Sequence, residues 1–541
     1  MAFREDFVWG AASSAYQTEG FPSADGGGES IWDAFCRRPG AIANGDNGSI
    51  ACDGYHRFEE DIRLLSSLGL RAYRFSTSWA RIDPNGDGRW NEAGLQYYDR
   101  MVDCCLANGV TPWMTLYHWE LPQALEETGG WQDRGTAERF ARFAGMMAAH
   151  FSGRVSHFIT LNEPQIVLKL GYADGIHAPG KRLLLPELVS CWKNLMLAHG
   201  LSFRAIRNAA PEALIGIAST GKLCYPHSPA DETTARQETF RLTDADWMFT
   251  HPIVLDAVCL GRVEPEPGAL RGLLSAVTPA EWDTMHAVPD FIGVNSYNGS
   301  EIAAGPDGVP VYLPRPQGFA CTALKWPVTP EIMAYGFAFL FDRYQLPLYV
   351  TECGLSCNDH IFLDGQVHDA DRIDFLHRYL LALCRGCERA DVRGFFHWSL
   401  TDNFEWHSGY AERFGLIYVD YPTQKRILKD SAHWNAQTAR ENGRNPELFF
   451  VYCGAVSAPL VFRSDPNRDP NAEKSGGIKI EQFLFRRSLV EVILIFVSYC
   501  PNSASHKTQE ACCFARENSM LFVLNAQTFI KRLHRIHHKC S

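Results

Sequence analysis

Two glutamates follow apolar segments whose composition is typical of β-strands. Glu163 lies in F-I-T-L-N-E-P, which begins at Phe158, and Glu352 lies in L-Y-V-T-E-C-G, which begins at Leu348. A charge is costly to bury there unless it has a partner or a function. Either glutamate alone could form a salt bridge at the rim of the fold. The pair predicts glycoside hydrolysis, in which one carboxylic acid protonates the departing oxygen and one carboxylate attacks carbon or activates water.

Aromatic and hydrogen-bonding side chains follow several of the other predicted strands. They are Gln17, His118, Trp119, Trp398, Glu405, Trp406 and Phe414. A sugar presents flat apolar faces and fixed hydroxyl groups, which indole rings and polar side chains can match. Each tryptophan taken singly could be a core residue, and His118 a structural histidine. Their convergence on strand ends favours a sugar pocket.

The elements that must position these side chains recur regularly along the chain. Eight runs rich in β-branched and aromatic residues each end near a Pro, Gly or polar cluster: Phe7 to Ser13, Ala72 to Trp79, Thr111 to Trp119, His157 to Pro164, Leu214 to Thr220, Asp290 to Tyr297, Pro347 to Gly354 and Val392 to Leu400. Alternating strands and helices predict an α/β fold, the (β/α)8 TIM barrel, with its site at the carboxyl ends of the strands. A doubly wound open sheet is the alternative, but no G-x-G-x-x-G follows the first run.

The intervening segments have room for one helix and one loop each. Apolar residues at helical spacing predict a helix from Tyr55 to Leu68, with Gly69 as a candidate C-cap residue. A second helix is predicted between Leu95 and Gly109. Both predictions support the barrel.

The alternation of predicted strands and helices stops near Gly443. We therefore expect a catalytic barrel over residues 1–443 and a C-terminal extension over residues 444–541. From Asn445 onward the chain has 12 Lys and Arg against 8 Asp and Glu, and no sustained period. We expect a poorly ordered extension, or translated sequence that does not normally belong to this gene product. A small accessory segment is the alternative.

The composition excludes several classes of function. The 541 residues carry 51 Lys and Arg against 62 Asp and Glu, a net charge of -11, so nucleic acid is not an expected partner. The charged start of the sequence does not resemble a secretory signal, which predicts a cytoplasmic protein. The longest apolar run, Ser488 to Cys500, is too short to span a bilayer. The expected partner is a small-molecule β-glycoside or a short oligosaccharide, and the oligomeric state stays open.

No metal site or cofactor is predicted. The 17 cysteines are expected to remain thiols. Cys384 and Cys387 form a C-x-x-C without a second pair, which is a weak zinc signal. The terminal cluster of His534, His537, His538 and Cys540 is expected to be a solvated tail.

Seven ordered motifs between residues 1 and about 443 resemble the family 1 glycoside hydrolases, the β-glucosidase and β-galactosidase group. The motifs are F-V-W-G-A-A-S-S-A-Y-Q-T-E-G at Phe7, Y-R-F-S-T-S-W at Tyr73, L-Y-H-W-E-L-P at Leu116, T-L-N-E-P at Thr160, F-I-G-V-N-S-Y at Phe291, V-T-E-C-G at Val350 and H-W-S-L-T-D-N-F-E-W at His397. The resemblance implies a retaining β-glycosidase that acts on terminal unphosphorylated β-D-glucosides through a covalent glycosyl-enzyme. β-Galactosides and β-fucosides are further candidate substrates.

The same resemblance implies a role for each matching residue. Glu163 would be the acid/base and Glu352 the nucleophile, with Arg74 and Tyr297 positioning the nucleophile. The substrate-binding residues would be Gln17, His118, Trp119, Asn162, Tyr297, Trp398, Glu405, Trp406 and Phe414. We expect Glu352 to stay ionised beside Arg74 and Tyr297, and Glu163 to be held protonated by its partly apolar site and nearby negative charge.

Departures from the family pattern leave alternatives open. Cys353 stands where the family has Asn, which predicts weaker activity, and Gln165 suggests a more polar leaving-group side. The phospho-glycosidases of the family have Ser at the place of Glu405, whose charge would here repel a phosphate. The thioglucosidases lack the acid that Glu163 supplies. A non-catalytic sugar-binding protein on the same barrel remains the rival from another class.

Overall fold

The structure is a computed structural model, and it describes residues 3–444, 479–487 and 490–498. The chain folds as two compact units, Met1–Leu448 and Phe449–Ser541. Each unit is described by itself.

The first unit contains a closed barrel of eight parallel strands. They are β1 (Val8–Ala12), β2 (Ala72–Ser76), β3 (Thr111–Tyr117), β4 (His157–Asn162), β5 (Leu214–Ser219), β6 (Phe291–Asn295), β7 (Leu348–Cys353) and β8 (Val392–Trp398). Consecutive strands pair with one another, and β8 pairs with β1. Every strand lies within the run predicted from the sequence, so the predicted (β/α)8 barrel is confirmed.

Long helices follow the strands, except after β5, where four shorter helices fill the connection. The long helices are Gly54–Ser67, Glu92–Ala107, Arg134–His150, Leu185–Ala209, Glu331–Tyr344, Ala370–Gly386 and Asp430–Arg440, and those after β5 are Glu232–Thr239, Pro252–Leu255, Ala269–Leu274 and Pro279–Met285. The two predicted helices are confirmed, and the backbone after them turns at Gly69 (φ 76°) and Gly109 (φ 66°). Glycine adopts this left-handed conformation without the penalty that a Cβ brings.

Other short elements lie in the loops. The remaining α-helices are Ala15–Thr18, Ile31–Cys36, Trp79–Ile82, Gln123–Glu127 and Pro164–Ile166, and Val167–Ala173 and Asp256–Leu260 are π-helical. A small sheet contains Cys224–Pro226, Ser300–Ala304 and Pro310–Tyr312, and Ile417–Asp420 pairs with Lys425–Leu428. These elements build the loops around the barrel.

Large side chains from some strands and small side chains from others together fill the barrel interior. Ala12, Ala72 and Ala218 on β1, β2 and β5 leave room for the rings of Trp113 and Phe291 on β3 and β6. Tyr349, Phe396, Trp398 and Phe414 belong to the same buried cluster. Trp398 and Phe414 are also predicted for the sugar site, so the buried core extends into that site.

The second unit has one described feature, an antiparallel pair of strands, Lys479–Arg487 and Val490–Ser498. The terminal His and Cys cluster, like most of the predicted extension, lies outside the described residues. Within the described residues no helix is long and apolar enough to cross a membrane. In the same part of the chain, no three His, Cys, Asp or Glu side chains are grouped to hold a metal ion, and Cys384 and Cys387 are free thiols.

Candidate active site

The two predicted carboxyl groups lie at the carboxyl ends of β4 and β7. Glu163 directly follows β4 and is 6% exposed, and Glu352 is the penultimate residue of β7 and is 4% exposed. Both therefore lie largely out of water at the barrel end where such enzymes bind ligands. Their different surroundings decide what each can do.

Glu352 is held by two hydrogen-bond donors, one to each oxygen. Arg74 Nη1 donates to Oε1 at 2.6 Å, and the Tyr297 hydroxyl donates to Oε2 at 2.8 Å. The Arg74 side chain is itself fixed, because Nη2 donates to Asn162 Oδ1 at 2.6 Å and Nε to Thr115 Oγ1 at 3.2 Å. Both oxygens of Glu352 are thus fixed by hydrogen bonds, one of them from a positively charged group.

Glu163 has a contrasting environment. Its carboxyl group accepts one hydrogen bond, from Asn295 Nδ2 to Oε1 at 2.9 Å. Burial, followed by the negative charge of Glu352, raises the pKa of Glu163 to about 8, although Asn295 and Arg74 act in the opposite direction. Glu163 therefore holds its proton at neutral pH, as a general acid must.

Three of the predicted site residues have left-handed backbone conformations. The φ angles are 70° at Trp119, 44° at Glu163 and 50° at Trp406. This region is uncommon for residues other than glycine and costs energy, and such residues concentrate at functional sites. The loops after β3, β4 and β8 thus hold these three side chains in directions that a relaxed backbone would not give.

Gln17, on the helix Ala15–Thr18 after β1, meets residues of the loop after β8, including Glu405. Gln17 is fully buried, and its Nε2 donates to Phe404 O at 2.9 Å and to Asn403 Oδ1 at 3.1 Å, with Glu405 Oε2 at 3.5 Å. Burial, followed by the charges of Glu352 and Glu412, raises the pKa of Glu405 to about 8. The Gln17 amide is fixed on its other side as well, because Oε1 accepts from Ser14 Oγ at 2.6 Å, and the carboxyl group of Glu405 can pair with a sugar hydroxyl.

His118 has one nitrogen free for a ligand. Burial, followed by the positive charge of Arg74, lowers its pKa well below the usual value, so the ring is neutral. Because Asn162 Nδ2 lies 3.2 Å from Nε2, we assign Nε2 as the acceptor and the proton to Nδ1. Nδ1 is buried and has no hydrogen-bond partner among the described residues. It is a donor that a sugar hydroxyl would satisfy.

Aromatic rings form the walls of the site. The His118 ring stacks with Trp398 at 5.7 Å, and Trp406 lies 4.7 Å from Trp119. Trp119 Nε1 donates to the carbonyl of Asn162 at 3.0 Å, and Phe414 lies 6.3 Å from Tyr297. These contacts bring together all the residues predicted for the site, whose roles toward a substrate stay predictions.

Sequence reasoning assigned no role to Asn295, although the residue lies in the motif F-I-G-V-N-S-Y. It ends β6, is 2% exposed and bridges Asn162 and Glu163. An amide that directly ends a predicted strand was the available signal. Trp326, whose ring packs 5.3 Å from Tyr297, lies in a loop and gave no such signal.

Two residues that depart from the family pattern, Cys353 and Gln165, are fully buried. Cys353 is fully buried, and burial raises the pKa of its thiol, which is therefore uncharged. Gln165 is also fully buried, and its amide donates to Ser219 Oγ at 2.7 Å and to Thr250 O at 3.3 Å. Its Oε1 is buried without a hydrogen-bond partner among the described residues, and the contribution of Gln165 to a leaving-group site stays a prediction.

Cavity size alone does not identify the site. A cavity of about 880 Å³ lies beyond the end of β7 and is lined by Phe319, Cys321, Ser356 and Cys357 among others, but by neither Glu163 nor Glu352. Its ionic side chains include pairs that already satisfy each other, such as Arg378 with Asp374 at 2.6 Å. The carboxyl pair and its hydrogen-bond network are the stronger functional indicator.

The family profile, the curated relatives and the solved structures that resemble this chain all indicate the same family. The profile of the family described as Glycosyl hydrolase family 1 matches residues 1–444. Beta-glucosidase A of Thermotoga maritima is 38% identical over 448 residues, which cover 82% of this chain and 98% of the relative. A bifunctional beta-D-glucosidase/beta-D-fucosidase of Bifidobacterium breve is 38% identical over 462 residues, which cover 80% and 97%. The solved structure of the Thermotoga maritima beta-glucosidase in complex with glucoimidazole has a TM-score of 0.74 and 37% identity, over 82% of this chain and 99% of that chain.

Proposed function

Because the chain belongs to glycosyl hydrolase family 1, we propose that it is a retaining β-glycosidase that hydrolyses terminal, unphosphorylated β-D-glucosides. The observation that carries the proposal is the contrast between the two carboxyl groups. Glu352 accepts hydrogen bonds from Arg74 and Tyr297, whereas the pKa of Glu163 is about 8. One group is prepared to attack and the other to donate a proton.

In the first step Glu352 attacks the anomeric carbon while Glu163 protonates the glycosidic oxygen. The bond to the leaving group breaks, and an ester forms between Glu352 and the sugar. Retaining enzymes need their two carboxyl groups about 5 to 5.5 Å apart for this step. Arg74, which binds Glu352, and Asn295, which binds Glu163, both donate to Asn162 Oδ1, and this short chain of hydrogen bonds supports such proximity.

In the second step Glu163 acts as the base. Formation of the ester removes the negative charge of Glu352, which is the second-largest cause of the raised Glu163 pKa. The pKa of Glu163 then falls, so its carboxylate can take a proton from the attacking water. Water adds to the anomeric carbon from the side of the departed group, and Glu352 leaves with retention of configuration.

The site supports glucose as the preferred sugar. The carboxyl group of Glu405 lies 3.5 Å from Gln17 Nε2 and can bind a sugar hydroxyl, and above its pKa of about 8 its charge opposes a 6-phosphate. The relative from Bifidobacterium breve is named for both β-glucosidase and β-fucosidase activity, which supports β-fucosides as additional substrates. β-Galactosides and short oligosaccharides are further candidates.

We also propose that residues 1–443 form the catalytic unit and that the extension is dispensable for hydrolysis. The Thermotoga maritima relative is covered over 98% of its length by 82% of this chain. A chain ending at Gly443 should keep kcat/KM within about twofold, because every site residue precedes Gly415. Loss of more than tenfold at unchanged fold would contradict this.

A cytoplasmic location is proposed on the twelve free cysteines among the described residues.

The test of the function is to trap the covalent intermediate. 2-Deoxy-2-fluoro-β-D-glucosyl fluoride should inactivate the protein and add one fluoroglucosyl mass to the peptide that contains Glu352. Glu352→Ala should form no adduct, and Glu163→Ala should regain turnover of activated glucosides when azide is supplied. A non-catalytic sugar-binding protein would bind the reagent without an adduct, and an adduct on another carboxylate would refute the assignment of Glu352.

A further inference from the structure

Asn295 joins the strands that carry the two proposed catalytic glutamates. Its Nδ2 donates to Glu163 Oε1 at 2.9 Å and to Asn162 Oδ1 at 3.1 Å, both at the end of β4. Its Oδ1 accepts a hydrogen bond from Thr351 Oγ1 at 2.7 Å. Thr351 is fully buried on β7 and immediately precedes Glu352. The amide therefore connects the acid/base to the strand of the nucleophile.

The hydrogen-bond pattern determines which way the amide points. In the observed orientation two N–H groups meet two oxygen acceptors, and the amide oxygen meets the Thr351 hydroxyl. Turning the amide over would place its oxygen against the carboxyl oxygen of Glu163 and the amide oxygen of Asn162. The contact with Asn162 Oδ1 would be repulsive, because that oxygen already accepts from Arg74, and the Thr351 hydroxyl would lose its acceptor. Thr351 thus helps to hold the donating side of Asn295 toward Glu163.

On the basis of the proposed function, we propose that Asn295, oriented by Thr351, is a positioning residue for the acid/base Glu163. The hydrogen bond to Oε1 fixes the rotamer of the carboxyl group and leaves Oε2 to carry the transferred proton. In the second step the same N–H group stabilises the carboxylate that must accept a proton from water.

The charges around Glu163 make this donor important. Glu352 on β7 and Glu405 after β8 both oppose ionisation of Glu163, and Arg74 on β2 favours it. His118 on β3 is neutral, and burial keeps the Tyr297 hydroxyl after β6 protonated by raising its pKa. Within residues 3–444, Asn295 makes the one hydrogen bond to the Glu163 carboxyl group, so its loss has no ready replacement.

The experiment compares four variants on two substrates. Asn295→Ala removes the donor, Thr351→Val removes only the hydroxyl, and Thr351→Ser restores it. Thr136→Val is the matched control, because the Thr136 hydroxyl is also fully buried and donates a hydrogen bond, to the Gly130 carbonyl at 2.7 Å, outside the site. Phenyl β-D-glucoside needs protonation of its leaving group, whereas 2,4-dinitrophenyl β-D-glucoside does not. For each variant kcat/KM is measured from pH 5 to 10.

We expect Asn295→Ala to lower kcat/KM for the phenyl glucoside about 10- to 100-fold, with less than about threefold loss for the dinitrophenyl glucoside. The basic limb of its pH profile should move up by about one unit, because a hydrogen bond to the charged form is lost. Thr351→Val should move the limb in the same direction by about half as much, while Thr351→Ser and Thr136→Val leave it in place. Equal losses on both substrates with an unmoved limb would overturn the role of Asn295. If the basic limb moves in Asn295→Ala but not in Thr351→Val, the role of Thr351 is overturned.

A second readout does not depend on hydrolysis. Carbon-13 labelling of glutamate carboxyl carbons allows NMR titration of Glu163, assigned by the signal missing in Glu163→Gln. Asn295→Ala should raise the Glu163 midpoint, and an unchanged midpoint would overturn the inference. If the unaltered chain hydrolyses neither glucoside, the proposed function fails, while the titration still decides the role of Asn295.

Discussion

Arg74 and Glu352 form an ion pair inside the barrel, with Nη1 and Oε1 2.6 Å apart and side chains 0% and 5% exposed. A buried pair of this kind stabilises the fold only if the remaining hydrogen-bonding groups are satisfied. Here Tyr297 satisfies the second oxygen of Glu352, and Asn162 satisfies the second arm of Arg74. The pair therefore fixes the Glu352 carboxyl group near Glu163, where its charge adds to the larger effect of burial in raising the pKa of Glu163.

Tyr297→Phe tests this arrangement. The variant keeps the ring and removes the hydroxyl that donates to Glu352 Oε2. A hydrogen bond to a charged group contributes about 1.5 to 3 kcal/mol, so kcat/KM for an aryl glucoside should fall roughly 10- to 150-fold. Tyr312→Phe is the matched control, because its hydroxyl also donates to a carboxylate, Glu238, outside the site. A Tyr297→Phe enzyme with rates like those of the control would contradict the role of the hydroxyl.

The pH dependence of hydrolysis should show a basic limb set by Glu163. The group must be protonated to act as an acid, and its pKa is about 8. For phenyl β-D-glucoside, kcat/KM should therefore be level near pH 7 and fall about tenfold per unit above about pH 8. The dinitrophenyl glucoside should show a much weaker decline. A basic limb below pH 6 in the phenyl series would contradict the assignment.

The raised pKa of Glu163 also predicts a cost in stability. An unfolded glutamate titrates near 4.5, so between about pH 4.5 and 8 the folded chain binds the additional proton. Stability from this group is thus present at low pH and is lost as the pH rises through the folded pKa. Glu163→Gln does not titrate and should melt about 3 °C above the unaltered chain at pH 9, with little difference at pH 5. Glu212→Gln, at an exposed position, is the control in the thermal melts. An equal gain in melting temperature for this variant at pH 9 would contradict the explanation from the titration of Glu163.

The barrel and the carboxyl pair were predictable for one physical reason. Parallel strands that close into a barrel bring their carboxyl ends together, so Glu163 and Glu352 had to share one end once the strands were recognised. The direction of a side chain is not fixed by that rule. Gln165 follows Glu163 closely in sequence yet points to Ser219, and Asn295 gains its contacts only because Thr351 and Glu163 come from two other strands.

Lys429 provides a prediction about stability in the loops behind the site. Its Nζ is fully buried and donates at 2.6 Å to both Asp359 and Asp402. Lys429→Met leaves two buried carboxylates short of a cation and should lower the free energy of unfolding by about 3 to 5 kcal/mol. The comparison is Arg378→Met, whose partner Asp374 is exposed on the same helix, with an expected loss below about 1 kcal/mol. Urea unfolding curves would show the difference, and equal losses would argue against the buried network.

Cys353 is the remaining departure from the family pattern, and its burial predicts a small effect on catalysis. The thiol is fully buried and uncharged, so it adds no charge beside Glu352. Cys353→Ala should therefore keep kcat/KM within about threefold and cost about 1 kcal/mol of stability, as the loss of a small buried group does. Cys353→Asn introduces a larger polar group into the same buried space and should be less stable than the alanine variant. A gain of more than about tenfold in kcat/KM for Cys353→Asn would instead show that the thiol limits hydrolysis in this chain.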